Sequence, residues 1–182
     1  MKEWTEEEIR DKSLMGPCGL FCGACGVYIA TRDGNEKLKE IMGKTYGSEP
    51  EETECLGCML PDGSKKHYGF CADCAIRDCA KSKGYYSCHQ CGEFPCNRIE
   101  SFPFGPGRKI MKDSISKWRD KVAEHGDEKG PIEWARQECG RYRCSSCGEP
   151  HIRGAQTCDA CEQTAAEDGW ISLQAKQIEL DR

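Results

Sequence analysis

The sequence predicts a small metal-stabilised fold of the α+β or irregular class, with short helices, zinc knuckles and a C-terminal zinc ribbon. Sixteen of the 182 residues are cysteine, many of them in C-x2-C pairs. Apolar residues, cysteine included, make up only 37% of the chain, and the mean hydropathy is −0.73. A chain this poor in apolar material needs cross-links to offset its conformational entropy. One structural zinc ion contributes roughly 10–16 kcal/mol of apparent binding energy to folding, so metal could supply them.

The redox compartment decides whether these cysteines bind metal or form disulfides. The N-terminus, MKEWTEEEIR, is acidic and contains no apolar run, so we expect neither a secretory signal nor a transmembrane segment. Thiols in the cytoplasm are kept reduced, and clustered cysteines are then better interpreted as metal ligands. We therefore expect a cytoplasmic metal protein, and a secreted disulfide framework is the competing interpretation.

The charge balance bears on the class of partner. The formal net charge is −5, and every zinc ion bound by four thiolates would add two further negative charges. Non-specific binding to nucleic acid needs a basic surface, so the charge disfavours a nucleic-acid partner without excluding a local basic patch. We expect a protein partner and no membrane association.

The chain opens with a complete signal for the start of a helix. Thr5 is placed as the N-cap and Glu8 can close a capping box, while Trp4 and Ile9 occupy the positions of a hydrophobic staple. We predict that this helix extends to about Leu14, before the Gly-Pro pair that follows, and that it covers one side of the metal core.

The first cysteines form the triplet CGLFCGAC, which contains Cys18, Cys22 and Cys25. We interpret them as three closely spaced zinc thiolates. Their C-x3-C-x2-C spacing also occurs in radical-SAM enzymes, where three thiolates hold a [4Fe–4S] cluster. Those enzymes need a long alternation of strands and helices, which the remaining chain does not offer.

A short helix and a further cysteine pair follow this triplet. Apolar residues between Leu38 and Met42 have helical spacing, and Gly43 is the predicted stop. An acidic stretch, EPEETE, is predicted to be a solvated loop. It leads to the C-x2-C pair formed by Cys55 and Cys58.

The densest cysteine cluster occupies the centre of the chain, where the spacing C-x2-C-x4-C occurs twice. A C-x2-C pair turns two thiolates toward one tetrahedral centre, and two such pairs complete a zinc site. Between the two copies we predict a short helix from Ala75 to Lys83, with Gly84 as its left-handed cap. The six cysteines of this cluster are Cys71, Cys74, Cys79, Cys88, Cys91 and Cys96.

These motifs together resemble a known family. CGLFCGACGVYIATRD, CLGCMLPDGSKKHYGFCADCAIRDCAKSKG and SCHQCGEFPCNRI are similar to a family of small cysteine-rich prokaryotic proteins catalogued as a domain of unknown function. Its members read CGLxCxxC-x-AYIAT, CxGC, CxIRxCAxxKG and CxxCxxFPC, and the resemblance covers about Cys18 to Glu100. Val27 departs from the pattern, where alanine often precedes the tyrosine. The resemblance implies zinc binding and occurrence in anaerobic bacteria and archaea, and it implies no particular activity.

Two stretches that contain proline and glycine divide the chain into three predicted units. FPFGPG at 102–107 is a boundary, and HGDEKGP at 125–131 is predicted as a second linker. We assign residues 1–101 to a multi-zinc domain with an N-terminal helix, 102–135 to a linker and an amphipathic helix, and 136–182 to the zinc ribbon with a closing helix.

The predicted amphipathic helix has one apolar and one basic face. We interpret the basic face as a solvated surface in preference to a site for nucleic acid or an acidic partner. The apolar stripe consists of Met111, Ile115, Trp118 and Val122, and the basic residues are Lys112, Lys117, Arg119 and Lys121.

A last cysteine group carries the strongest local zinc signal. Its spacing, C-x2-C-x10-C-x2-C, resembles a short zinc ribbon in which two knuckles clamp one ion. Cys139 precedes this group without a clear partner, and we predict a closing helix that begins near Trp170 and includes Ile178. The four cysteines are Cys144, Cys147, Cys158 and Cys161.

Counting thiolates predicts about three to four zinc ions in the whole chain. One ion belongs to the ribbon. The simplest pairing for the rest joins the C-x2-C pair at 71–74 with that at 88–91, and the pair at 22–25 with that at 55–58. This leaves Cys18, Cys79 and Cys96, which could form a third core site completed by Cys139, a histidine or an external ligand.

Three classes of function follow. We rank first a metal-stapled protein-interaction module, or adaptor, because no catalytic constellation and no Gly-rich phosphate loop stands out. The alternative is an enzyme or a metal- or redox-handling protein with an open zinc site or a reactive thiolate. The second alternative is an iron–sulfur protein, which the absence of the bacterial ferredoxin spacing disfavours.

Overall fold

The computed structural model describes residues 1–61, 64, 66–166 and 169–171, and in these residues the fold is mostly helical. The β component predicted from the sequence is limited, in the described residues, to isolated bridges between single residue pairs. Long cysteine-containing loops with short 3₁₀ turns connect the helices. The α-helices are α1 (Glu6–Arg10), α2 (Gly26–Asp33), α3 (Glu36–Tyr46), α4 (Ala75–Ser82), α5 (Asn97–Glu100) and α6 (Gly105–Arg141).

The predicted N-cap and capping box of α1 are confirmed. The Thr5 side chain accepts from the backbone N–H of Glu8, and the Glu8 side chain accepts from the backbone N–H of Thr5 at 2.8 Å. The helix is shorter than predicted, because Asp11 leaves the helical conformation and caps a separate 3₁₀ turn that ends at Leu14.

Glycine ends α3 one turn later than predicted. The helix passes through Gly43 and stops at Gly47, which has the left-handed φ of 76°. Gly43 has a different role, because a Cβ built on it would lie 2.6 Å from the carbonyl oxygen of Ser48. The prediction for α4 is confirmed within one residue, and Gly84 has the predicted left-handed φ, 67°.

Helix α6 consists of two arms that fold back on each other at Gly126. The φ and ψ of this residue, 78° and 173°, interrupt the helix. The arms, 105–125 and 127–141, lie antiparallel, and the ring of Trp118 stacks on that of Trp134 with centroids 3.8 Å apart. The predicted second linker is therefore a tight reversal, since helical backbone resumes directly after it.

The two faces of the first arm differ as predicted, but the basic face is not free. Met111, Ile115 and Trp118 of the apolar stripe are buried. On the opposite face, Lys112 pairs with Glu100 at 3.1 Å. Two further lysines and one arginine are also engaged: Lys117 with Asp113, Lys121 with Glu124, and Arg119 with the carbonyl oxygens of His89 and Cys91.

One hydrophobic core extends across all three predicted units. It contains Trp4 and Met42 from the first unit, Trp118 from the second, and Tyr142 and Ile152 from the third. Their division into separate domains stays a prediction. The predicted closing helix falls outside the described residues after position 171. Within the described residues, no helix is both long enough and apolar enough to cross a bilayer.

The arms of α6 are in close contact at Gly130, so a methyl group added there should destabilise the protein, whereas one added at the open position Gly140 should not. A Cβ at Gly130 would lie 2.5 Å from the Cα of Val122, whereas a Cβ at Gly140 meets nothing within 4 Å. We expect Gly130→Ala to lower the free energy of unfolding by about 1–3 kcal/mol, because the arms must separate. Gly140→Ala should leave it unchanged or raise it by up to about 1 kcal/mol, because alanine is the better helix former. Denaturant unfolding of the metal-loaded chain measures both, and equal effects would contradict the packed hairpin.

Candidate metal centre

The four cysteines nearest the C-terminus meet at a single point. The Sγ atoms of Cys144 and Cys161 are 3.6 Å apart, as are those of Cys147 and Cys158. Four sulfurs bound to one tetrahedral zinc ion at 2.3 Å lie about 3.8 Å from one another, so the spacing suits one ion. Within the part of the chain described, only this set of three or more cysteine, histidine or acidic residues has its donor atoms all within 4.8 Å of each other.

Two matching turns create this arrangement. An antiparallel bridge between Arg143 and Pro150 closes the first C-x2-C turn, and one between Thr157 and Thr164 closes the second. In each turn the first cysteine donates its backbone N–H five residues ahead, with N···O distances of 2.9 and 2.8 Å. Each turn therefore fixes two thiols on one side of its own backbone. The C-x2-C spacing encodes this geometry locally.

Backbone dipoles in this group favour a thiolate. The N–H groups of Cys147 and Ser146 point to the sulfur of Cys144 and lower its pKa to about 6. Hydrogen bonds of this kind stabilise negative charge on a sulfur that ligates a metal. Hydrogen bonds with the neighbouring thiols raise the pKa of Cys147 to about 12, so a cation that binds here would displace a proton from that sulfur.

A second group of four cysteines surrounds a small cavity of about 30 Å³ between α4 and the loop that follows it. A cavity of this volume has room for about one ion or one water molecule. Ser87 holds the loop in place, since its hydroxyl donates to the carbonyl oxygen of Pro17 at 3.1 Å and it caps the turn that begins at Cys88. Burial raises the pKa of the Cys88 thiol to about 12. The four residues are Cys79, Cys88, Cys91 and Cys96.

The remaining cysteines of the core face one larger cavity of about 350 Å³, which we call the thiol chamber. Its wall is formed by the loop before α2, the 55–58 loop and the loop before α4, with Arg153 from the C-terminal region. Arg153 is fixed there by a bond from its guanidinium to the carbonyl oxygen of Phe21 at 3.0 Å. The seven cysteines of the thiol chamber are Cys18, Cys22, Cys25, Cys55, Cys58, Cys71 and Cys74.

Electrostatics in the thiol chamber oppose free thiolates. Burial raises the pKa of both Cys18 and Cys71 far above the usual value for a thiol. A hydrogen bond between Cys22 and Cys58 raises the pKa of the former and lowers that of the latter, and the Arg77 guanidinium lowers the pKa of Cys58 further. A bound cation would supply the compensating charge and release protons.

The core cysteines are grouped differently from the simplest pairing of the sequence. Cys88 and Cys91 face the same cavity as Cys79 and Cys96, while the C-x2-C pair at 71–74 faces the thiol chamber. No three sulfurs in either core cavity are as close together as those of the C-terminal group, within the residues described. Cys139 is buried in the hydrophobic core and lines neither cavity.

Sequence reasoning missed three arginines beside the thiol chamber, among them Arg98, which lines it two residues after Cys96. Arg77 is 7% exposed and donates to the carbonyl oxygens of Cys71 and Ala72, both at 2.6 Å. Its place in the sequence, between Cys74 and Cys79, is a local signal that could have identified it. Arg153 has no such signal, because its contact with residue 21 spans 132 positions.

Comparison with known proteins identifies one related family. Residues 14–101 match its model. The family is described as "Protein of unknown function (DUF3795)". The matched segment contains all the cysteines that line the small cavity and the thiol chamber. The match supports a cysteine-rich domain of unknown function in this segment, as the sequence motifs indicated, and does not include α6 or the C-terminal group. No curated protein and no solved structure gives a significant match to the chain.

Removing one sulfur of the C-terminal group should cost the protein one metal ion. We expect Cys147→Ser to reduce the bound zinc by about one ion per chain, because a serine hydroxyl is a much weaker zinc ligand than a thiolate. Cys139→Ser is the matched control, since this cysteine belongs to none of the three groups. Elemental analysis of both variants after gel filtration under reductant measures the loss. An unchanged zinc content in Cys147→Ser would contradict a metal site at this group.

Proposed function

We propose that this chain is a zinc-stapled protein-interaction module, in which thiolate-bound zinc ions fix the backbone and surface loops contact a protein partner. The observation that carries the proposal is the closed set of four sulfurs in the C-terminal group, with pairs 3.6 Å apart. Four-thiolate zinc sites have no open position for a substrate and are structural. The paired knuckles support a zinc ribbon at this group.

The partner surface in this proposal lies on the cysteine loops. The basic face of α6 is a poor candidate, because its cations are engaged within the chain. Leu56, between two cysteines of the thiol chamber, is 40% exposed, and so is Tyr46 at the end of α3. Zinc bound by Cys55 and Cys58 would fix the position of Leu56. Thiolates must stay reduced for this purpose, which suits the cytoplasmic location expected from the sequence.

The alternative function, an enzyme or a metal- or redox-handling protein, is favoured by a different observation. The thiol chamber, at about 350 Å³, falls within the size range of small-ligand pockets. In that case at least one zinc ion would keep a non-sulfur ligand, because catalytic zinc sites have an open position. An iron–sulfur protein is the third candidate, and its cluster would colour the protein.

Zinc K-edge absorption of the full chain separates these functions. The interaction module predicts that every zinc ion is surrounded by four sulfurs at about 2.3 Å. Cys161→Ser is the matched control, since it should lose the zinc ion of the C-terminal group and leave the sulfur coordination of the other ions unchanged. Nitrogen or oxygen ligands in the unaltered chain would contradict the structural role and favour an open site. Iron in place of zinc, with brown colour after purification without oxygen, would contradict the proposal altogether.

A further inference from the structure

The thiol chamber contains more sulfur than one zinc ion can bind. Seven cysteines line it, whereas a tetrahedral zinc ion takes four ligands. Two separate tetrahedra would need eight thiolates, and two that share an edge would need six. Two tetrahedra that share one corner need seven, which is the number present.

We propose that the thiol chamber holds two zinc ions joined by one bridging thiolate, with all seven cysteines as ligands. This inference rests on the proposed function, because it takes the metal to be zinc and the site to be structural. It adds a binuclear centre to the single ions assigned to the two groups of four cysteines.

The sizes of the three groups support this assignment. The C-terminal sulfurs lie 3.6 Å apart in pairs, and the other four-cysteine group encloses only about 30 Å³. The thiol chamber encloses about 350 Å³, and its sulfurs do not converge on one point. In a corner-sharing pair, sulfurs on different zinc ions are separated by up to about 7 Å, whereas the four sulfurs of each ion lie about 3.8 Å apart. The volume of the thiol chamber therefore has room for two linked ions, and its thiols would close into two sets of four as the metal binds.

The charges around the thiol chamber also fit a binuclear centre. Two zinc ions carry four positive charges and seven thiolates carry seven negative ones, so the centre has a net charge of about −3. Arg98 and Arg153 line the chamber, with the carboxylate of Asp73, and Arg77, only 7% exposed, lies beside Cys58. Three guanidinium groups therefore face one carboxylate. The C-terminal group needs no such cation, because one ion and four thiolates leave about −2 and Cys147 is exposed to solvent. Fixed cations are placed where the larger negative charge would form.

Cys58 is the thiol best placed to be shared. Its charge acts on Cys18, Cys22, Cys55 and Cys71, which is one thiol more than the charge of Cys25 reaches. A bridging sulfur must be near the ligands of both ions. We therefore assign Cys58 to the shared corner.

Cadmium-113 NMR on the full chain tests the bridge directly, because cadmium replaces zinc in thiolate sites and two ions that share a sulfur show scalar coupling. We expect one coupled pair of ¹¹³Cd resonances and two uncoupled ones. Native mass spectrometry of the zinc form, purified under reductant without oxygen, should show two ions beyond those of the two four-cysteine groups. Cys161→Ser is the matched control, since it should lose one uncoupled resonance and keep the coupled pair. Cys58→Ser should abolish the coupling.

The outcomes separate failure of the bridge from failure of the proposed function. A single uncoupled ion in the thiol chamber would overturn the binuclear centre and leave a structural zinc site there. No zinc in the thiol chamber would overturn the binuclear centre and leave the C-terminal group that carries the proposed function, whereas iron with inorganic sulfide in place of zinc would overturn both. The coupling is measured in the unaltered chain, so the test stands even if Cys58→Ser does not fold.

Discussion

The constraint on which the rest of the structure depends is the placement of fifteen thiols in three groups, where any thiolate needs a compensating positive charge nearby. Burial raises the pKa of the thiols at Cys18, Cys71 and Cys88, so these groups resist becoming free thiolates. We propose that cations bound among these sulfurs stabilise their thiolate forms. The local turns that fix pairs of sulfurs, and the arginines beside the thiol chamber, both favour such binding.

Apolar packing is distributed unevenly over the molecule. An apolar core joins α1, α2 and α3 to both arms of α6, with Trp118 stacked on Trp134 at its centre. The region from the 55–58 loop to α5 has much less apolar packing: it contributes Cys55 and Tyr68 to that core and Ile76 and Ile99 to a second buried cluster of four residues. Hydrophobic burial therefore holds the helical part, and we propose that metal–thiolate bonds hold the cysteine loops.

Structure that depends on residues close together in the sequence was predicted well. Contacts between distant segments were not predicted. The capping box of Thr5, the apolar stripe of α6 and the C-terminal knuckles each depend on residues a few positions apart, and each is present. The grouping of Cys79 with Cys96, and the docking of Arg153 on residue 21, depend on how distant segments pack. Gly43 was misread for the same reason, because its role is contact with Ser48 after the helix has ended.

Hydrogen exchange before and after metal removal tests this division most directly. The full chain would be stripped with EDTA under reductant, and amide exchange would be compared segment by segment. We predict that protection is lost in residues 71–96 and 144–161, while the arms of α6 around Trp118 and Trp134 keep most of theirs. Unchanged protection in the two cysteine segments after complete metal removal would contradict the claim that metal–thiolate bonds hold them.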